Sequence, residues 1–410
     1  DDVTISQIIA QVVGAISFTA TAGLSTTAGE ILLDLGGALL VNQSVNTGNA
    51  DLRVTMRGNL SQSATGTLVA GNLGIRQEAA AGLIDLHAGN DLDTVALFNA
   101  ANGGTITVND VDGFIIGTVS ARNIDGCSFA ETVGVLTTDG DVMVATAAEL
   151  LIMQSIDAGT ANVRIMASGD VSQLPNGSIM ANELGVRQEG QTGDIHLCAA
   201  NDVDVVALHN AASAGDVAFS DIDDLILGRV ATQLTGGVAF TETIGLTTNN
   251  GIGFLAAGAG LTLTDRVATG SAAALLIANG DLTQTTGAGI TAGQLGVRQE
   301  STIDGRIQLD AGNMVATFAA FNAFDSGTAT FNNNGDLEVG TGNGLLGPLD
   351  HAGSDVDSQH LGAAVHRHCR RVATTAAHVE KGGSRGDLCG IEHGLEQGLV
   401  HGLLHVGPVV

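Results

Sequence analysis

The hexapeptide LGIRQE at residues 73–78 returns as LGVRQE at residues 184–189 and again at residues 295–300, with an equal interval between successive copies. The same interval links single positions whose residue type is kept, namely Phe18, Phe129 and Phe240, then Gly58, Gly169 and Gly280, and finally Gln62, Gln173 and Gln284. Copies of one unit of about 111 residues therefore fill roughly residues 14–346. Internal repetition on this scale is typical of stacked architectures, in which neighbouring units bury one another.

A shorter rhythm inside each unit predicts strands. The segments GDVMV at residues 140–144, GDIHL at 193–197 and GDVAF at 215–219 place apolar residues at alternate positions after a Gly-Asp turn. Alternation with a period of two puts those residues on one face of a strand. Such openings recur about every 22 residues, so we expect about five coils in each unit. The sequence thus predicts an all-β fold, a right-handed parallel β-helix (β-solenoid) built from three units with three strands per coil.

The composition agrees with a narrow interior. The chain of 410 residues has 58 Gly and 11 Phe but neither Trp nor Tyr, while hydrophobic residues make up 44% of it. A solenoid interior takes Val, Ile, Leu and Ala in ladders, and its sharp corners take Gly and Asn. The 43 acidic and 15 basic residues give a net charge of −28, which argues against nucleic acid or anionic lipid as a partner and favours cations. Apolar runs are too short for a bilayer, so we expect no membrane insertion of this segment.

The character of the sequence changes after Pro348. We therefore predict a solenoid over residues 1–348 and a His-rich tail over 349–410 that is disordered, weakly structured or partly helical. In the tail, His366, His368 and Cys369 have side chains that suit Zn²⁺ or Ni²⁺, although they lack paired ligand spacing. Residues 1–10 show no signal-peptide pattern, which indicates a mature or internal fragment.

Stacked coils with Gly-Asp-Val-x-Val openings, a composition rich in Ala, Gly, Thr and Asn, and a near absence of Lys resemble the β-strand-repeat regions of very large bacterial surface or secreted proteins. Filamentous-haemagglutinin-like adhesins and autotransporter passengers are familiar members. The resemblance covers about 80% of the chain and rests on repeat style. It implies export, an extracellular or cell-surface position, and an acidic rod that adheres or forms a matrix. Its partners would be a host or neighbouring-cell surface, or a matrix polysaccharide or protein.

The repeated motif offers a charged pair in each unit. Arg and Glu lie two residues apart, so they share one strand face opposite the apolar residues and are expected to face solvent. The pairs are Arg76 with Glu78, Arg187 with Glu189, and Arg298 with Glu300. Five coils per unit would space these pairs by about 24 Å along the rod. They could form a ligand contact presented three times, or a purely structural pair.

Clustered acidic turns are the candidate metal sites. Their carboxylates are oxygen ligands of the kind that Ca²⁺ prefers, although their spacing matches neither an EF-hand loop nor a glycine-rich nonapeptide repeat. The candidate ligands are Asp91, Asp93, Asp110, Asp112, Asp202, Asp204, Asp221 and Asp223. Solvated acidic turns are the other interpretation. Ca²⁺ is the only cofactor that the sequence suggests for the solenoid.

Catalysis is not indicated. An enzyme on this fold would most often be a polysaccharide lyase or hydrolase, and Asp221 with Asp223 could serve as paired acids. However, the repeats contain no Lys, Trp or Tyr, and a unique active site should interrupt the repeat. We therefore predict a non-catalytic structural or adhesive rod. The alternatives are a calcium-stabilised matrix or surface-layer component and a β-helix polysaccharide lyase or hydrolase.

Overall fold

Every regular element of the protein in residues 2–13 and 16–340, the part that the computed structural model describes, is a β-strand. The first unit comprises β1 Val3–Ile5, β2 Gln7–Ile8, β3 Gln11–Val13, β4 Ile16–Phe18, β5 Thr21–Ala22, β6 Leu24–Ser25, β7 Ile31–Asp34, β8 Leu39–Val41, β9 Val45–Asn46, β10 Asp51–Met56, β11 Leu60–Gln62, β12 Leu68–Gln77, β13 Ile84–Asn102 and β14 Ile106–Asp110.

The second unit repeats these elements one repeat interval later. It comprises β15 Phe114–Ile116, β16 Thr118–Val119, β17 Arg122–Ile124, β18 Cys127–Phe129, β19 Thr132–Val133, β20 Val135–Thr138, β21 Val142–Thr146, β22 Leu150–Ile152, β23 Ile156–Asp157, β24 Asn162–Ala167, β25 Val171–Gln173, β26 Ile179–Gln188, β27 Ile195–Ser213 and β28 Val217–Asp221.

The third unit follows in the same order. It comprises β29 Leu225–Leu227, β30 Arg229–Val230, β31 Gln233–Thr235, β32 Val238–Phe240, β33 Thr243–Ile244, β34 Leu246–Asn249, β35 Gly253–Ala257, β36 Leu261–Leu263, β37 Val267–Ala268, β38 Ala273–Ala278, β39 Leu282–Gln284, β40 Ile290–Gln299, β41 Ile307–Asn322 and β42 Ala329–Asn333. Strand β43 Glu338–Val339 then takes the place that β1, β15 and β29 hold.

Strands one turn apart pair in parallel, which confirms the predicted parallel β-solenoid. Leu52 in β10 pairs with Ile31 in the turn before it and with Leu73 in the turn after it. A single sheet system of 31 strands wraps in this way through about 14 turns. Because each strand alternates, one set of side chains points inward and forms continuous ladders such as Val142, Val163 and Leu184.

The turns change shape once per unit. Ile84 and Asn90, on two sides of one turn, pair with Ile106 and Asp110 at the two ends of a single strand in the next turn, across a bulge. Residues 94–99 show the opposite change, because this single stretch pairs with two separate strands of the next turn, β15 and β20. The long side of the turn therefore moves to the opposite part of the cross-section.

This change alters the predicted turn count. The pairings between successive turns can be followed from Leu73 to Leu295, a distance of two units. Each pairing is one turn, and there are nine of them. They pass through Val95, Ile116, Ile152 and Gln173, continue from Val171 in the same strand as Gln173, and then pass through Ile195, Val217, Gly253 and Ala274. One unit thus accounts for four and a half turns, not five. Leu184 belongs to another column of pairings, with Val163 and Val206. Successive motif copies therefore do not lie in one row, and the predicted spacing of about 24 Å for five coils becomes about 22 Å for four and a half turns.

The residues that would have formed the remaining half turn leave the coil and form an antiparallel hairpin. Strands β16–β19 and β17–β18 pair in one hairpin, β30–β33 and β31–β32 in the next, and β2–β5 and β3–β4 in the first. Backbone bonds close the base of two of them, from Gly134 N–H to the Gly117 carbonyl and from Gly245 N–H to the Gly228 carbonyl. The regular spacing of strand openings had predicted further coils over these segments.

Two predictions fall outside the described ranges. The tail over residues 349–410, with its boundary at residue 348 and its candidate ligands His366, His368 and Cys369, lies beyond residue 340. Across residues 2–13 and 16–340, no helix of the length and apolarity needed to cross a membrane is found.

Candidate functional site: the motif strands and the acidic corners

The motif strand presents two different faces. In β12 the side chains of Leu73 and Ile75 point into the core and are fully buried. Gly74 and Arg76 alternate with them and lie on the outer face, as the period of two predicts. The outer face is not open to solvent, however, because a hairpin folds back over it.

The hairpins β16–β19 and β30–β33 each pack through an aromatic ring onto a motif glycine. A Cβ on Gly74 would lie 2.5 Å from Phe129 Cζ and 2.9 Å from Val119 Cγ1. The same two distances recur for Gly185, which lies beneath Phe240 and Val230. In the first two motif copies the repeated glycine and the repeated phenylalanine are therefore two halves of one contact.

The motif arginine anchors the hairpin. Arg76 Nε donates to Glu78 Oε1 at 2.6 Å, while its Nη1 donates to the Glu131 carbonyl at 3.3 Å and to Thr132 Oγ1 at 3.4 Å. The guanidinium also stacks on the Phe98 ring, 4.4 Å from its centroid. Only 17% of the Arg76 side chain is exposed, so the predicted charged pair exists but its arginine is largely covered.

The second and third copies keep the charged pair. Arg187 donates from Nε to Glu189, and its Nη1 donates to the Glu242 carbonyl at 3.4 Å and to Thr243 Oγ1 at 3.1 Å. Arg298 donates to Glu300 and stacks on the Phe321 ring, 4.6 Å from its centroid. In the first two copies these arginines hold a strand to its hairpin, which is a structural role.

A second pair of arginines was missed from the sequence. Arg53 Nε donates to the Ser120 carbonyl at 3.0 Å, and Arg164 Nε donates to the Ala231 carbonyl at 3.2 Å. Both side chains are buried, and the two residues are separated in sequence by one repeat interval. Each lies one turn before a motif strand. The repeat interval itself was the available signal, and it ends in the third unit, where Leu275 occupies the position.

Buried amides form a corner in every unit. Gln62 Nε2 donates to Asn90 Oδ1 at 2.7 Å, and Asn90 Oδ1 also accepts the Leu68 N–H at 2.9 Å. Asn90 Nδ2 donates to the carbonyls of Leu86, Ala88 and Asn109. Gln173 with Asn201 and Gln284 with Asn313 repeat the pair at the same 2.7 Å. These amides satisfy backbone groups where the strand bends, so Asn90 is not a free turn residue.

The acidic corners contain one buried carboxyl group in each of the first two units. Asp110 Oδ2 accepts the Leu92 N–H at 3.0 Å and its Oδ1 accepts the Asp112 N–H at 3.1 Å. Asp221 does the same with the N–H groups of Val203 and Asp223. Burial raises the pKa of Asp110 to about 8 and that of Asp221 to about 7, and the neighbouring Asp112 and Asp223 carboxyl groups add to the increase.

The third unit carries an amide at this corner. Asn333 takes the position of Asp110 and Asp221, and its Oδ1 accepts the Val315 N–H at 2.9 Å. Since a neutral amide makes the same backbone contact, the corner requires an acceptor and not a charge. The buried carboxyl groups are therefore positioned as structural acceptors.

The remaining candidate calcium ligands lie around these corners. Asp91, Asp93 and Asp112 are exposed residues. The partial burial of the Asp93 carboxyl group, together with the charges of Asp91 and Asp112, raises its pKa. Asp202, Asp204 and Asp223 hold the equivalent positions in the second unit. Among residues 2–13 and 16–340, no three His, Cys, Asp or Glu side chains are grouped so that they could hold a metal ion. Calcium binding at these aspartates stays a prediction.

Asp221, the buried member of the carboxyl pair with Asp223, has one property of a catalytic acid, namely a raised pKa. Its carboxyl group is held by two backbone N–H groups, and the residue is 4% exposed. A substrate oxygen would have to displace those contacts to reach it.

Comparisons with protein-family models, with curated proteins and with solved structures returned no match for the chain.

Proposed function

We propose that the chain is a non-catalytic structural or adhesive rod that acts outside the cell, as part of a larger bacterial surface or secreted protein. The observation that carries this proposal is the use of the most strictly repeated side chains. Gly74, Phe129 and Arg76 join a strand to its hairpin, and Gln62 with Asn90 holds a corner. Residues kept through duplication for internal contacts are what a scaffold requires.

The surface fits the same role. The net charge of −28 on the chain repels similar rods and opposes sideways association of the strands. Shallow, repeated outer faces suit contact with extended partners, such as a cell surface, a matrix polysaccharide or a matrix protein. The resemblance to filamentous-haemagglutinin-like adhesins and autotransporter passengers points the same way.

Measurements of location, binding and turnover test this proposal. Antibody labelling and surface proteolysis of intact source cells should find the chain outside the cell, and the purified full chain should bind cells or matrix components saturably. Incubation with acidic and neutral polysaccharides should release neither reducing ends nor unsaturated products. An intracellular location would overturn the proposal. So would turnover that Asp221→Asn abolishes, which would favour the lyase or hydrolase.

A calcium-stabilised matrix or surface-layer component is the second candidate, favoured by the raised pKa of Asp93, to which burial and then the charges of Asp91 and Asp112 contribute. A bound cation favours the ionised form of such a carboxyl group. Its test is the response of unfolding to calcium, which is given in the Discussion.

A further inference from the structure

One position beside the hairpin β30–β33 departs from the repeat and introduces a titratable group. In the first unit the motif arginine Arg76 stacks on Phe98 of the following turn, 4.4 Å from the ring centroid. The third unit repeats this contact with Arg298 and Phe321 at 4.6 Å. In the second unit His209 holds the position of the phenylalanine. A ring that is neutral at every pH is thus replaced by a side chain of the type that changes charge between pH 5 and 8.

The surroundings of His209 change together with it. Its Nδ1 lies 2.7 Å from Thr247 Oγ1 in the following turn, where the first unit has the apolar Leu136. Arg266 adds a second cation near the ring, and the residue one repeat interval before it is the neutral Ser155. The half-buried histidine is therefore placed in a polar and positively charged environment that the first unit does not have.

Three charged groups act on the His209 ring. Arg187 lies in register with it in the preceding turn, Glu189 follows on the same face, and Arg266 lies just before β37. Burial lowers the pKa of His209 and the two arginines lower it further, whereas Glu189 opposes them. A base whose pKa is lowered in a closed state binds fewer protons there, so acid favours any state that relieves its burial and the repulsion.

Arg187 is also the residue that ties the hairpin β30–β33 to the coil. Its Nη1 donates to the Glu242 carbonyl at 3.4 Å and to Thr243 Oγ1 at 3.1 Å. The base of the hairpin closes at Gly245, directly before the strand that carries Thr247. A protonated imidazole at this point would repel the guanidinium group that holds the hairpin in place.

We propose that His209 is a pH-sensitive element that lets the hairpin β30–β33 stay docked in neutral solution and loosens it in mildly acidic solution. The hairpin β16–β19 should lack this response, because its anchor Arg76 stacks on Phe98, which takes up no proton. The proposal concerns the docking of one hairpin and does not depend on where the chain acts.

Loosening would uncover an apolar surface. Val230 and Phe240 of the hairpin pack on Met143 and Ala207 of the coil, and together they form a buried cluster separate from the main core. Acid would therefore expose apolar side chains on one side of the solenoid while the turns beneath keep their pairing.

A second histidine lies at the tip of the same hairpin and predicts the opposite response. A Cβ on Gly236 would lie 2.6 Å from His87 Cβ, and His87 Nδ1 lies 3.1 Å from Asp85 Oδ2. A proton on His87 would face a carboxylate, so it would attract rather than repel. Acid-induced loosening can therefore be assigned to His209.

Hydrogen exchange of the full chain tests the proposal. Amide protection within residues 229–245, corrected for intrinsic exchange rates, should fall about threefold or more between about pH 7.5 and about pH 5. Protection within residues 118–134, measured in the same sample, should stay constant. Nuclear magnetic resonance of the His209 ring should place its protonation in the same pH interval as the loss of protection.

Variants separate the two histidines. His209→Phe restores the residue of the other units and should abolish the acid response. His209→Gln keeps a polar partner for Thr247 without a titratable group and should do the same, so the test does not depend on one substitution folding. His87→Gln is the matched control and should keep the response of the wild type. Circular dichroism of each variant checks that it is folded.

The proposal is overturned if protection within residues 229–245 does not change between the two pH values, or if both hairpins lose protection equally. It is also overturned if the folded His209→Phe and His209→Gln variants loosen in acid as the wild type does.

Discussion

The ring of Phe129 lies against the α-carbon of Gly74, which belongs to a much earlier strand of the chain, so closely that no side chain fits between them. Phe240 and Gly185 repeat this relationship at the same separation in sequence. One member belongs to the coil and the other to the hairpin that leaves it. The contact therefore joins a strand of one unit to the hairpin of the next unit, and it explains the most conspicuous glycine of the motif without any ligand.

Gly185→Ala should loosen the hairpin β30–β33. The added methyl group would overlap the Phe240 ring and Val230, and overpacking of this kind costs about 1–3 kcal/mol of unfolding free energy. Urea denaturation measures the loss, and limited proteolysis should show earlier cleavage within residues 229–244. Gly296→Ala is the matched control, because its Cβ would meet only the end of the flexible Leu275 side chain. Equal losses for the two variants would contradict the proposed contact.

A double-mutant cycle isolates the pair. Phe240→Ala alone should destabilise the chain by about 3 kcal/mol through the cavity that it leaves. In the Phe240→Ala background, Gly185→Ala should cost little more, since the methyl group then has room. The two single effects are therefore expected to be non-additive by at least ~1 kcal/mol. Additive effects would mean that Gly185 and Phe240 act separately.

Much of the fold was predictable because the sequence repeats its own geometry. The constant repeat interval and the alternation after Gly-Asp turns determine a parallel solenoid with an interior of Val, Leu, Ile and Ala. The number of turns could not be predicted by dividing the repeat interval by the spacing of strand openings, because alternating residues and turn residues also build a hairpin. Asp125-Gly126 and Gly236-Gly237 are two-residue turn signals at the hairpin tips, with positive φ at all four positions, and they were the available clue.

The site was less predictable. Alternation correctly placed Arg76 and Glu78 on the outer face, but the burial of Arg76 depends on a hairpin that comes from a distant part of the chain, β16 to β19. Likewise, Asn90 and Asp110 resemble solvated turn residues in the sequence. Only the pairing of β13 with β14 across a bulge brings them inside, where backbone groups need acceptors.

The amide corner should be costly to remove. Asn201→Leu deletes the acceptor of the Ile179 N–H and the partner of Gln173, all of which are buried. Leaving such groups without partners costs about 1–3 kcal/mol each, so we expect a loss of ~3 kcal/mol in unfolding free energy. Chemical denaturation measures it. Asn182→Ala, at an exposed position in the adjacent strand β26, should change stability by less than ~0.5 kcal/mol. A comparable loss in both variants would refute the role assigned to the corner.

Calcium should have little effect on unfolding if the acidic turns are simply solvated. Because a ligand that binds only the folded form must stabilise it, ~5 mM Ca²⁺ is expected to raise the melting temperature by less than ~2 °C at constant ionic strength. Differential scanning calorimetry with Ca²⁺, Mg²⁺ and EDTA is the measurement. A larger rise that is specific to Ca²⁺ and reversed by EDTA would instead favour the matrix or surface-layer component, with Asp91, Asp93 and Asp112 as the first ligands to substitute.

The buried carboxyl groups make stability depend on pH. Burial raises the pKa of Asp221 from 3.8 to about 7 and that of Asp110 to about 8. An acid whose pKa is raised in the folded state stabilises the fold fully below the unfolded value, and this contribution is lost as the pH rises through the folded value. The unfolding free energy should therefore fall between about pH 4 and pH 8.

Asp221→Asn should flatten that dependence, because Asn333 shows that an amide can fill the same corner. At pH 8.5 the variant is expected to be more stable than the wild type by on the order of 1–2 kcal/mol, and near pH 4 the two should be alike. Asp204→Asn removes the same charge from an exposed position and controls for the general repulsion within an acidic chain. Urea denaturation across this pH range compares the three proteins. If Asp221→Asn and Asp204→Asn change the pH slope equally, the effect belongs to net charge, and the buried corner does not titrate as its burial predicts.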